Sequence, residues 1–199
     1  VAAIDESLRK ADIGYFDLML IHCPQPWERY RDGSGYKCFE DNREAWKAME
    51  EAYRAGSLKA IGVANFEQDD LEDLFEHGEI RPMVDQVLCH IGNTPFELID
   101  FCRSNDVLVE AYSPIAHGAI LGNATVEAMS DKYGVSMARL CLRYDLQLGT
   151  VPLPKSENPE HIASNTEVDF EISEEDMDTL EAVSGIDYGE SSKFRCFRA

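Results

Sequence analysis

Five apolar runs in this chain each end at or beside a side chain that can do chemistry. Phe16–His22 ends on an imidazole, Leu58–Asn65 on a carboxamide, and Met83–His90 carries Gln86 before closing on His90. Asp106–Ser113 closes on Tyr112 and Ser113, and Thr150–Pro154 is followed by Lys155 and Ser156. An imidazole held at a strand end can donate an N–H to a carbonyl oxygen as negative charge develops there. A carboxamide offers donor and acceptor together, and a flat phenol ring can fix a planar ligand ring and leave one face open. Lys155 and Ser156 directly precede "NPEHIASN", where Asn158 is an N-cap and Pro159 follows it, so a positive charge and a helix start coincide and favour an anion. Each has a plainer alternative: a satisfied strand-end histidine, an asparagine capping a loop, a core tyrosine, a solvated lysine.

The elements that must position these groups alternate. The first four runs combine β-branched and other apolar residues, as buried strands do; "TVPLP", with its two prolines, is the weakest strand. Between them lie helical patterns. "NREAWKAMEEAYRAG" puts Trp46, Met49 and Tyr53 on one face and stops at Gly56; "DDLEDLFEHG" groups Leu71, Leu74 and Phe75. "TPFELIDFCRSN" predicts a capping box from Thr94 to Glu97. "VSMARLCLRYDL", "NPEHIASN" and "SEEDMDTLEAV" supply three more, and "AAIDESLRKA" another before the first strand. Alternating helix and strand predicts an α/β protein with a parallel sheet. No G-x-G-x-x-G follows the first strand, as an open dinucleotide-binding sheet would require. Chemistry delivered at the ends of several different strands points instead to a (β/α)8 TIM barrel. Such a barrel runs to about 250 residues. Only five βα units are visible, so the barrel is expected to be incomplete as given, its first strands lying outside this stretch. Residues 1–199 are then a single domain: five C-terminal βα units, a C-terminal helix and a tail.

Composition narrows the function. The net charge of -20, from 38 acidic and 18 basic side chains, disfavours nucleic acid and anionic membrane surfaces, which need a basic face. No stretch of about 18 apolar residues reads as a membrane span, and nothing at the start reads as a signal peptide. The six cysteines are scattered, without C-x-x-C pairs or zinc spacing. They read as free thiols in a reducing, cytoplasmic setting, and no metal site is expected.

Five segments carry a family resemblance. "YFDLMLIHCP" resembles Y-x-D-L-Y-L-I-H-W-P, "KAIGVANF" resembles G-V-S-N-F, and "VDQVLCH" resembles N-Q-V-E-x-H. "VEAYSPIAHG" is similar to A-Y-S-P-L-x-x-G, and "VPLPKSENPEHIASN" to I-P-K-S-x-x-P-x-R-I-x-E-N. These are segments of the aldo-keto reductases, in family order, from the first helix to about Asp187. Any one is weak; five together are specific.

The resemblance implies an NADP(H)-dependent oxidoreductase, with NAD(H) also open, that reduces aldehyde or ketone carbonyls to alcohols by hydride transfer on a small-molecule substrate. It implies that His22 orients the carbonyl, that Asn65 and Gln86 hold the nicotinamide carboxamide, and that Tyr112 stacks on the ring. Ser113 and Ile115 match the pyrophosphate loop; Lys155, Ser156, His161 and Asn165 match the adenosine 2′-phosphate region. Cys23 and Trp27 are placed in the substrate pocket, Trp27 within the insertion "PWERYRDGSGYKCFED". This chain departs from the pattern at Ala64 (Ser in the family), Cys23 (Trp), His161 (Arg) and Ser164 (Glu). A neutral imidazole is a weaker phosphate clamp than a guanidinium. The family's catalytic Tyr, Lys and Asp have no matching motif here, so the chain alone is expected to be inactive. The alternative is a non-catalytic nucleotide-binding or interaction protein on the same scaffold. His117 and Glu67–Asp70 read as loop and helix-surface features.

Overall fold

In a computed structural model that describes residues 2–26, 28–29 and 35–189, each of the five apolar runs becomes a strand. In chain order the elements are α1 (Ala2–Ala11), β1 (Met19–Ile21), α2 (Phe39–Arg54), β2 (Ile61–Ala64), α3 (Gln68–His77), β3 (Val84–Leu88) and α4 (Phe96–Ser104). Then follow β4 (Leu108–Tyr112), a 3₁₀ turn (Ala116–Gly118), α5 (Ala124–Tyr133), α6 (Met137–Gln147), β5 (Val151–Leu153), α7 (Pro159–Ser164) and α8 (Glu174–Glu181). The strands are shorter than the apolar runs, because the run ends leave the ladder; Phe16, for example, makes only an isolated bridge to Leu58.

The chain divides into two compact units, Val1–Gln86 with Asp100–Leu108, and Val87–Ile99 with Val109–Ala199. In the first unit β1 pairs with β2 and β2 with β3, both parallel. Gly62 sits where a Cβ would meet the Val84 carbonyl at 2.5 Å, so this close strand approach requires glycine. Trp46, 1% exposed, anchors α2. Its indole N–H donates to the Ile80 carbonyl at 2.8 Å. Beside it, buried Glu50 accepts from the Glu79 and Ile80 amides at 2.7 Å each, so the loop entering β3 is fastened through its backbone.

In the second unit β4 pairs parallel with β5, Glu110 opposite Val151 and Tyr112 opposite Leu153. Its core joins Ile91, Ile120, Leu140, Tyr144, Ile172 and Leu180. Helix α5, which the sequence pattern did not reveal, starts at the Asn123 side chain and ends at left-handed Gly134. Asp176 on α8 binds it through Lys132 Nζ at 2.7 and 2.8 Å and through the Tyr133 hydroxyl. The capping box expected at Thr94 does not form, because the Thr94 hydroxyl donates to the His90 carbonyl and pairs with the Tyr144 hydroxyl at 2.8 Å. A capping box forms instead at Glu67 and Asp70 on α3.

The segment after α8 is clasped to the turn after β3. Gly92, at φ 92°, leaves room for Ile186, which a Cβ there would meet at 2.6 Å. Buried His90 places Nδ1 2.7 Å from the Ile91 carbonyl and Nε2 2.9 Å from the Tyr188 hydroxyl. A carbonyl can only accept, so Nδ1 carries the proton and Nε2 accepts from Tyr188, whose oxygen accepts in turn from Asn93 at 3.2 Å. Burial lowers the His90 pKa, so the fold favours the neutral ring. A lowered value means that the stabilisation is complete above the ordinary imidazole pKa of about 6.5 and is lost as pH falls through the lower folded value. Urea unfolding of the second unit is therefore expected to weaken below about pH 6. His90→Gln should flatten that acid limb; an unchanged limb in the variant would assign it to another group.

Candidate cofactor and active site

In the first unit, parallel register brings the ends of β1 and β2 beside the middle of β3. Ile21 lies opposite Val63 and Ala64 opposite Gln86, so His22 and Asn65 each follow directly on a strand end, with Gln86 beside Ala64. Asn65 turns the chain out of the ladder at φ 60°, a left-handed conformation that asparagine tolerates better than most residues. Its N–H donates to the Gln86 carbonyl at 2.9 Å, and its side-chain Nδ2 donates to the His22 carbonyl at 3.0 Å. Asn65 thus carries out the loop-capping role that competed with cofactor binding, and in doing so fixes the backbone of His22. The His22 side chain is exposed, Cys23 half-buried, and Pro24 and Gln25 buried. Trp27 lies outside the described residues.

Immediately after Asn65 the structure corrects the expectation from sequence. Glu67–Asp70 is not a plain helix surface: Lys37 Nζ reaches Glu67 at 2.9 Å, Asp69 at 2.6 Å and Asp70 at 2.9 Å. Asp70 is buried. Burial raises its carboxyl, and Lys37 offsets part of that rise. The ammonium supplies the one positive charge that three converging carboxylates need, and it ties the end of the insertion before α2 to the start of α3. Next to Gln86, Asp85 points to the opposite, fully buried face. Burial pushes its carboxyl well above the carboxylate range, with the Phe66 amide offsetting only part.

In the second unit, half-buried Tyr112 ends β4, and the chain leaves it under strain. Ser113, Ala116 and His117 all have positive φ, at 56°, 50° and 52°. Such conformations cost about 1–3 kcal/mol each and persist where the surroundings impose them. Ser113 Oγ lies 3.1 Å from His117 Nε2, so His117 belongs to this loop's framework.

A cavity of about 210 Å³ opens in the same unit. Its wall includes Ile115, Lys155, Ser156, His161 and Asn165, all five assigned to the nucleotide from sequence. It also includes Ser136, Ala138 and Leu142, to which the sequence pattern assigned no ligand role. Ala138 and Leu142 stand four residues apart on α6, a spacing that gives one apolar stripe. Ser164, which replaces the family's Glu, lies in the wall as well. Lys155 was expected to offer its charge to an anion; here its Nζ meets the Glu157 carboxylate at 2.8 Å. An apolar wall with a cation and hydroxyl groups at its rim suits a purine nucleoside carrying an anionic group.

A sequence profile of the Aldo/keto reductase family matches residues 1–184. The chain belongs to this family. The glyoxal reductase of Bacillus subtilis (strain 168) is 38% identical over 185 residues, covering 92% of this chain and 62% of that protein. Among solved structures, MGS-M4, an aldo-keto reductase from a Medee basin deep-sea metagenome library, superposes with TM-score 0.82 at 32% identity, over 92% of this chain and 65% of that one. The Bombyx mori aldo-keto reductase in complex with NADP gives TM-score 0.79 at 32% identity, over 91% of this chain and 61% of that one. The chain therefore spans less than two thirds of the length of these relatives. Its fold class is the α/β class of the aldo-keto reductases expected from the strand ends. Among the described residues, no helix is long and apolar enough to cross a membrane.

The Asn65 geometry separates two contributions. Asn65→Gly removes the bond to the His22 carbonyl and keeps the left-handed turn easy; Asn65→Ala removes the bond and adds Cβ strain. Urea unfolding is expected to show Asn65→Ala about 1 kcal/mol less stable than Asn65→Gly. Equal losses would show that φ at this position is relaxed in the variants.

Proposed function

We propose that this chain carries the nucleotide site and the carbonyl-orienting histidine of an NAD(P)H-dependent carbonyl reductase. Its substrate is a small aldehyde or ketone, reduced to the alcohol. The observation that carries this reading is the cavity in the second unit, where four residues chosen from sequence for the adenosine end of the cofactor meet Ile115 of the pyrophosphate loop. The apolar side chains of Ala138 and Leu142 offer the adenine a dry wall, and Lys155, Ser156 and His161 stand where an adenosine phosphate needs donors. The Bombyx mori relative is solved in complex with NADP, which supports NADP(H) as the cofactor, with NAD(H) also open.

A bound reduced nicotinamide supplies the hydride to the carbonyl carbon. Of the chain's own residues, His22 donates an N–H to the carbonyl oxygen and steadies the charge that develops there. By the family resemblance, the Gln86 and Asn65 side chains would hold the carboxamide, and the Tyr112 ring would face the nicotinamide. Ser113 and Ile115 hold the pyrophosphate through a loop whose strained backbone is already set before binding. The family resemblance assigns Cys23 and Trp27 to the substrate pocket. The proton that completes the alcohol comes from a tyrosine with no counterpart motif in these 199 residues, so the chain by itself binds nucleotide without turnover. Cys38, Cys89, Cys102 and Cys141 are free thiols among the described residues, which supports a reducing, cytoplasmic setting.

Titration of the 199-residue chain with NADPH, followed by nucleotide fluorescence, is expected to saturate. Lys155→Met should weaken binding roughly tenfold, the loss of one charge-assisted contact. No NADPH oxidation is expected with a reactive aldehyde. Turnover by the isolated chain would contradict the assignment of the proton donor, and absence of binding would overturn the nucleotide reading.

A further inference from the structure

The segment that follows α8 is held in place by its side chains. Residues 183–188 form neither helix nor strand. Their grip is on the turn after β3. Ile186 fills the space that Gly92 leaves, where a Cβ would come within 2.6 Å of it. The Tyr188 ring meets the His90 ring edge-on, with centroids 5.6 Å apart and planes at 62°. Its hydroxyl lies 2.9 Å from His90 Nε2 and accepts from Asn93 Nδ2 at 3.2 Å. His90 is fully buried, and its Nδ1 lies 2.7 Å from the Ile91 carbonyl. That carbonyl commits the ring's proton to Nδ1. The neutral ring is left with one acceptor, Nε2, and the Tyr188 hydroxyl donates to it.

A second proton on the ring removes that acceptor. In the imidazolium both nitrogens donate, so Nε2 meets the Tyr188 hydroxyl donor to donor unless the hydroxyl turns away. The charge must also be carried at a buried position. The groups around the ring do not neutralise it. The loop after β4 brings His117, which acts against a charged His90. α6 brings Tyr144, whose hydroxyl meets Thr94, and Thr94 donates to the His90 carbonyl. From α8, Glu181 bears on Tyr144. On β3's side, Cys89 turns its thiol to Asp145 at 3.7 Å, and burial pushes the Asp145 carboxyl up toward its uncharged form. In the segment itself, the Asp187 carboxylate accepts from the Gly189 amide at 2.8 Å. We propose that residues 183–188 are an acid-released clasp: protonation of His90 breaks its hold on Tyr188, and the segment leaves the turn after β3 while the core of the unit stays folded. A segment without helix or strand opens at lower cost than the helices beside it. Opening uncovers the space beside Gly92 that Ile186 fills. The clasp does not depend on what the cavity of this unit binds.

The test is amide hydrogen exchange of the whole chain at about pH 7.5 and about pH 5.5, either side of the ordinary imidazole value, corrected for the intrinsic effect of pH on exchange. Burial lowers the His90 pKa, so the clasp is at full strength above about pH 6.5 and weakens as pH falls toward the lower folded value. Opening of residues 183–188 is expected to rise by up to about tenfold per pH unit across that window, with protection in α5 and α6 unchanged. His90→Gln supplies an acceptor that takes no proton, so its clasp should stay closed at both pH values. Tyr188→Phe keeps the ring and drops the hydroxyl, so its segment should already be more open near neutral pH. Protection of α5 and α6 near neutral pH checks that each variant folds, and the pH series on the unsubstituted chain decides the matter if one does not. Equal protection of the segment at both pH values overturns the proposal. So does loss of protection in α5 and α6 together with the segment, which is unfolding of the unit. The same acid opening in His90→Gln, or an unchanged segment in Tyr188→Phe, overturns it as well.

Discussion

Parallel pairing of short strands is the constraint on which the candidate site depends. In a parallel ladder neighbouring strands run the same way, so the residue that leaves each strand emerges at the same edge as its neighbours. His22 and Asn65 leave β1 and β2 within one register step of each other, and Gln86 lies opposite the last residue of β2. Asn65 then converts the shared edge into a fixed one, by hydrogen bonds to the Gln86 and His22 carbonyls. In the second unit the same arithmetic sets Tyr112 opposite Leu153, two residues before Lys155. Buried cores beneath these edges, built on Trp46 in one unit and on Tyr144 in the other, supply the rigidity that exposed functional side chains cannot supply themselves.

The polar groups buried beside these edges serve position more than stability. Glu50 holds two backbone amides in the loop entering β3, and Lys37 holds three carboxylates at the start of α3. Both stand beside segments that must stay in register for the edge to form. A buried charge deprived of its partner costs several kcal/mol, so such contacts specify one arrangement by penalising the others. The strained Ser113–His117 loop follows the same logic in the second unit. Its backbone is held in a sparsely populated conformation before any ligand arrives, which lowers the ordering cost of binding.

Much of this was legible in the sequence. The strands were visible because four of the five runs are long and apolar. α7 and α8 were visible because Asn158 and Ser173 cap them. What escaped is informative in kind. Thr94 has the local pattern of a capping box, yet its hydroxyl found His90 and Tyr144, a tertiary competition that no local window contains. α5 has clear caps but weak amphipathicity. Lys37 meets acids at least 30 residues away in sequence, so only folding reveals that the Glu67–Asp70 cluster has a cation at its centre.

The second-unit cavity and the loop after β4, on this account, together receive a nicotinamide nucleotide. Hydrogen–deuterium exchange of the chain with and without saturating NADPH addresses this most directly, because amide protection reports where the ligand orders the backbone. Protection is expected at residues 113–118 and 154–165, with the core of α5 unchanged. Protection missing from both segments, or confined to other parts of the chain, would contradict it.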